Sequence, residues 1–87
     1  MLDKEFYVLA FDSTHYAIDT EKKLKEHLEI ETIPTPREIS TSCGLSIKFR
    51  VELLDRVTEL VKEDLNNMKL YRIVREGMKK NVYPMSI

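Results

Sequence analysis

The chain has 87 residues, 43% of them hydrophobic, which makes one domain near the size where a single core only just offsets chain entropy. Fourteen Lys and Arg against fifteen Asp and Glu leave a net charge of -1, with both signs interspersed, so the composition excludes a strongly basic nucleic-acid binder and implies no anionic partner. A single cysteine excludes an internal disulfide, a Cys-x-x-Cys oxidoreductase and a multi-cysteine zinc site.

Glu5 to Phe11 is a short apolar and aromatic run, too brief for a helix, and it stops at Asp12, Ser13 and Thr14, which all accept backbone N–H bonds at helix starts. This predicts a first strand followed by a helix cap. From His15 to about Leu28 the apolar positions Ala17, Leu24 and Leu28 fall on one helical face with Thr20 or Glu21 filling the gap, and Glu21 and Lys25 are spaced for an ion pair. Burying Leu24 and Leu28 is worth roughly 2 kcal/mol each against a few tenths for the ion pair, so packing holds this helix. Ile30 to Ile33 has room for a second strand, which Pro34 and Pro36 end because neither has an N–H and each drives the preceding residue into extended backbone.

Ile33 to Gly44 is the stretch around which the rest is organised. It gathers two prolines, a glycine, several hydroxyl residues and the cysteine between segments that read as ordinary scaffold. Leu45 to Phe49 then alternates apolar and polar with period two, the cleanest strand signal in the chain. Val51 to about Leu65 carries a fuller helical stripe, with Glu52 and Asp55 in the first turn and Asn66-Asn67 suited to stop it. Leu70 to Val74 is a fourth strand, and Glu76 to Ile87, with no clear period, reads as a tail or annex.

The order β-α-β-loop-β-α-β predicts an α+β, ferredoxin-like βαββαβ fold, a four-stranded antiparallel sheet with two helices on one face, in a domain covering residues 1–75. If the first strand points up, the loop holding Cys43 lies at the top beside the start of the first helix, near Asp12, Ser13, Thr14 and His15. The first strand is apolar on both sides, so one side is a candidate homodimer interface driven by residues such as Tyr7 or Phe11. No basic segment leads into an apolar run at the start, and no apolar stretch approaches the ~20 residues of a membrane span. No membrane partner and a cytoplasmic location are therefore expected.

A thiol becomes a useful nucleophile when its anion is stabilised by a helix N-terminus, a nearby cation or convergent donors. Arg37, Ser40, Thr41, Ser42 and the Gly44 N–H, with the first helix and its Ser13, Thr14 and His15, are candidates to supply these for Cys43. The competing reading is that Cys43 is a small buried hydrophobe. His15 is either a base or a solvated first-turn residue, and His27 suits a helix C-terminus. No metal site is expected, since the chain lacks the soft ligands.

The signature Ile33-Pro34-Thr35-Pro36-Arg37-Glu38-Ile39-Ser40-Thr41-Ser42-Cys43-Gly44 is preceded by Phe11-Asp12-Ser13-Thr14 and a helix with Ala17 and Glu21-Lys22. Over Phe6 to Val74 this resembles the selenium/sulfur carrier-like family of small bacterial and archaeal proteins. The resemblance implies that Cys43 carries sulfur or selenium as a persulfide or selenosulfide between a donor and an acceptor protein, with no resident cofactor, as a carrier rather than a self-sufficient enzyme. A ligand-sensing or interaction module with a structural Cys43 is the alternative. A thiol-dependent reductase subunit would need a partner's second cysteine.

Overall fold

The computed structural model describes residues 4–39, 44–63 and 68–85. Its central element is β1 (Glu5–Phe11), in which every residue from Phe6 to Phe11 is buried. A strand buried on both faces needs a neighbour on each edge and a cover on each side. The neighbours are β3 (Leu45–Arg50) and β4 (Met68–Glu76), both antiparallel to it, with Leu9 opposite Ile47 on one edge and opposite Leu70 on the other. Beyond them, β2 (Glu31–Pro34) pairs with β3 and β5 (Lys79–Met85) pairs with β4, also antiparallel, giving the sheet order β2-β3-β1-β4-β5.

One side of β1 is covered by the helices. Tyr7, Leu9 and Phe11 share a cluster with Ala17 and Leu24 of α1 (Thr14–Lys25) and with Val57 and Val61 of α2 (Leu54–Val61). The apolar stripe expected on the first helix is present as Ala17, Thr20 and Leu24, all buried, with Leu28 packed at its edge. The expected Glu21 and Lys25 pair is 3.9 Å apart. Ser13 occupies the N-cap position of α1 in extended backbone, and its carbonyl accepts from the Ala17 N–H at 3.1 Å. Near the opposite end of β1, Arg72 donates from Nε to Glu5 Oε2 at 2.7 Å, tying β4 to β1 on the helix side.

Three expectations are corrected. The sheet has five strands, not four, because the segment read as a tail or annex contains β5. The turn before β5 has a physical signature: Glu76 pairs with Lys79, leaving the two-residue loop Gly77-Met78, and Gly77 alone among the described residues takes a positive φ, +61°. A type II′ hairpin turn requires glycine at that first position. Pro84, which weakened the strand signal, is tolerated because β5 is an edge strand with one free side.

The second helix does not begin as an α-helix. Val51–Leu53 form a 3-10 turn and α2 starts at Leu54, since the chain leaves β3 in extended backbone at Arg50 and must tighten at once. The expected end of this helix, Leu65 with Asn66-Asn67, lies outside the described residues. Finally, Tyr7 and Phe11, expected at an interface between copies, are buried within the chain instead, because β1 is the middle strand and the helices cover that face.

Gly77→Ala should destabilise the domain by about 1–2 kcal/mol, the cost of a left-handed residue carrying a Cβ. Urea unfolding of the variant beside the parent measures it.

Candidate functional site

The loop between β2 and β3 leaves and re-enters the sheet through a closed stem. The Thr35 N–H donates to the Gly44 carbonyl at 3.0 Å, and the Thr35 and Ser46 hydroxyls lie 2.8 Å apart in a hydrogen bond. Ser46 is fully buried opposite Ala10, so its hydroxyl needs a partner and Thr35 supplies one. Because Ala10 is near the end of β1, this stem and the Asp12 to His15 segment leave the sheet at the same end. That much of the expected placement holds.

The described part of the loop, however, packs on the face opposite α1. Pro36 to Ile39 close a turn through an Ile39 N–H to Pro36 carbonyl bond at 3.0 Å. Ile39, only 5% exposed, joins the cluster of Phe6, Val8, Ala10 and Ile73 on the helix-free face. Glu38 beside it accepts an ion pair from Lys80 of β5 at 3.5 Å. The Glu38 carboxyl is held below the usual carboxylate range first by a backbone hydrogen bond within its own residue, then by Lys80 and Arg37, against an opposing effect of desolvation. The cover of the second face is completed by cations: Lys48 Nζ lies 4.5 Å from the Phe6 ring centre and the Arg75 guanidinium carbon 5.5 Å from it.

Of the residues singled out from sequence, Arg37 is exposed on the loop turn and Gly44 is exposed at the stem. A glycine next to the loop's cysteine would suit a sharp backbone turn. Its φ is not in the left-handed region, and a Cβ built there meets nothing within 4 Å, so the turn does not require glycine. Ser13 is half-buried at the α1 cap and Thr14 is exposed. His15, with an 80% exposed side chain, sets its Nε2 3.2 Å from Asp19 on its own helix and its ring against Tyr16. The described part of the loop and His15 therefore serve opposite sides of the sheet. Cys43, Ser40, Thr41 and Ser42, and with them the expected closeness of Cys43 to the first helix, lie outside the described residues.

Sequence reasoning missed Ile39, Glu38 and Lys80 as the anchors of this loop. The signal for Ile39 was a lone apolar residue in a polar stretch. Elsewhere, an open groove of about 1190 Å³ lies at the other end of β2 and β3, over Leu28, Ile30 and Phe49, with His27, Arg50 and Arg56 at its walls. No group of His, Cys, Asp and Glu suited to a metal ion occurs among the described residues. None of their helices is long and apolar enough to cross a membrane.

A family model described as "Putative Se/S carrier protein-like" matches residues 6–75. The chain belongs to this family. The match runs from the second residue of β1 to the last but one of β4, with the Pro-rich loop between, and β5 lies beyond it. Neither a curated protein nor a solved structure matches the chain. Membership in a carrier-like family implies dealings with other proteins, and the loop is the feature in the matched region that carries the chain's one thiol.

Ile39→Ala should cost about 2 kcal/mol or somewhat more, because it empties the cover over Phe6 and Val8. Chemical denaturation measures that loss, and amide exchange at Thr35 and Gly44 should quicken in the same variant. The Glu38 anchor has an acid limit. A depressed carboxylate pKa contributes stability above the unfolded value of 4.5 and loses it as pH falls through the lower folded value. The stability difference between the parent and Glu38→Gln should therefore be present at neutral pH and close in acid.

Proposed function

We propose that the chain carries sulfur or selenium on Cys43, held as a persulfide or selenosulfide, from a donor protein to an acceptor enzyme. The observation that supports this reading is the family match over residues 6–75 in a chain whose only cysteine is Cys43. In the transfer, the Cys43 thiolate attacks the terminal sulfur of a donor persulfide. A bond forms between Cys43 Sγ and that sulfur, the donor's own S–S bond breaks, and the donor leaves as a thiolate with the bonding pair. Attack by an acceptor nucleophile on the same terminal sulfur then releases Cys43 as thiolate, with no net oxidant consumed.

Such an exchange needs a thiol that is ionised near neutral pH. Arg37 and the Gly44 N–H, with the hydroxyls of Ser40 and Ser42, are the loop groups assigned to stabilise the anion. The start of α1, with Ser13, Thr14 and His15, which leaves the sheet at the loop's end but on its other face, is the second group assigned to this role. The chemistry calls for no resident cofactor. It suits a reducing cytoplasm, where a lone thiol stays reduced. Four of the strands in the order β4-β1-β3-β2, with both helices contributing to one cluster, support a ferredoxin-like core to which β5 is an addition.

A second reading, a ligand-sensing module, is favoured by the groove over Leu28, Ile30 and Phe49. Incubation with glutathione persulfide decides between the two. The parent should gain the mass of one sulfur atom on Cys43, and Cys43→Ser should gain none while keeping its fold by circular dichroism. Iodoacetamide should alkylate Cys43 faster at neutral pH than a free thiol of pKa ~8.5, and Arg37→Ala should move that pH–rate profile upward. A Cys43 inert to both reagents in the folded protein, with Cys43→Ser costing stability, would overturn the carrier reading.

A further inference from the structure

A net charge of -1 conceals a segregation that the strand register reveals. Lys48 and Arg50 of β3, Lys69 and Arg75 of β4 and Lys80 of β5 alternate onto the same face as Phe6, Val8 and Ala10. Among the described strand and loop residues, Glu31, opposite Lys48, and Glu38, already paired with Lys80, are the carboxylates brought to that face. Outside these seven residues the chain has nine Lys and Arg against thirteen Asp and Glu, among them Asp55 and Glu59 on α2. Interspersed in sequence, the charges are sorted in space.

We propose that this helix-free face docks an acidic surface of a partner protein. Its apolar centre is closed by Ile39, while Arg50, Lys69 and Arg75 remain exposed around it, a layout that offers ion pairs around a sealed centre rather than an apolar socket. Nucleic acid is the other polyanion a basic sheet face can serve, and it needs aromatic rings free to stack on bases. Here Phe6 is 3% exposed beneath Lys48 and Arg75, and Tyr71 is half-buried against the same cluster. Carboxylates satisfy the rim without any stacking platform. The loop from Thr35 to Ile39 folds onto this face, so a partner seated there meets the loop. Identifying that partner as sulfur donor or acceptor rests on the carrier reading; the docking itself does not.

The test uses the full chain carrying Cys43→Ser, which cannot transfer sulfur, and a fluorescein-labelled peptide of alternating Asp and Glu as probe. Binding should be saturable, weaken as salt rises, and shift backbone amide resonances of β3, β4 and β5. Arg50→Glu with Lys69→Glu should weaken it by about tenfold or more, whereas Lys22→Glu with Lys23→Glu on α1, an equal change in net charge, should leave it within about twofold. Arg50→Gln with Lys69→Gln, a gentler change, should give an intermediate loss. The proposal is overturned by absence of saturable binding, by equal losses from the two charge reversals, or by resonance shifts confined to the helices. Tighter binding at these residues of a single-stranded oligonucleotide of the same charge would also overturn it. Failure of persulfide transfer in the parent would leave this result standing, so the two readings fail separately.

Discussion

Burial of β1 on both faces is the constraint from which the remaining architecture follows. Phe6, Val8 and Ala10 on one side and Tyr7, Leu9 and Phe11 on the other are all withdrawn from water. Each large side chain among them is worth roughly 1.5–3 kcal/mol when covered. Two helices supply the cover on one side. Among the described residues no third helix lies over the other, so the second face is closed with what remains: one loop isoleucine, the neighbouring strands' apolar residues, and the cationic heads of Lys48 and Arg75 over the Phe6 ring.

The loop's position is thus an energetic requirement of the core and not an accident of the connection. Ile39 fixes one side of the segment that contains Cys43 and the Thr35 to Gly44 stem fixes the other. Glu38 and Lys80 add an ion pair whose partner is on the last strand, so β5, outside the family match, still bears on the loop. An exposed pair of this kind is worth little by itself; its use is to choose a direction for a loop that Ile39 already holds down.

Much of this was legible in the sequence and some was not, for identifiable reasons. The β1 run, the stripe of α1 and the alternation of Leu45 to Phe49 carry their periods openly, and the structure has strand, helix and strand there. The last strand was hidden because Pro84 and two lysines blur its alternation, an edge strand being free to break the pattern that a central one must keep. Its turn was readable nonetheless in Gly77-Met78. For the site, sequence reasoning placed the end of the sheet from which the loop departs, where the structure has its stem. It could not identify the face the loop covers, because that depends on Ile39 meeting Phe6 and on Glu38 meeting Lys80, contacts between residues far apart in the chain.

The same alternation explains how a nearly neutral chain acquires a charged face. On β4, Lys69, Tyr71, Ile73 and Arg75 project to one side, and on β5 Lys80, Val82 and Pro84 do so beside them. On β4 the apolar residues take the middle and the cations the ends, and on β5 Lys80 takes the end beside Arg75. The cations consequently divide into two kinds. Lys48 and Arg75 close the core over Phe6 as well as presenting charge, so their loss removes packing together with attraction. Arg50 and Lys69 are exposed rim residues, free to be tuned without touching the core. A face built this way couples its electrostatics to its stability at the centre and separates them at the rim, which leaves the rim as the place where partner choice can change while the fold is kept.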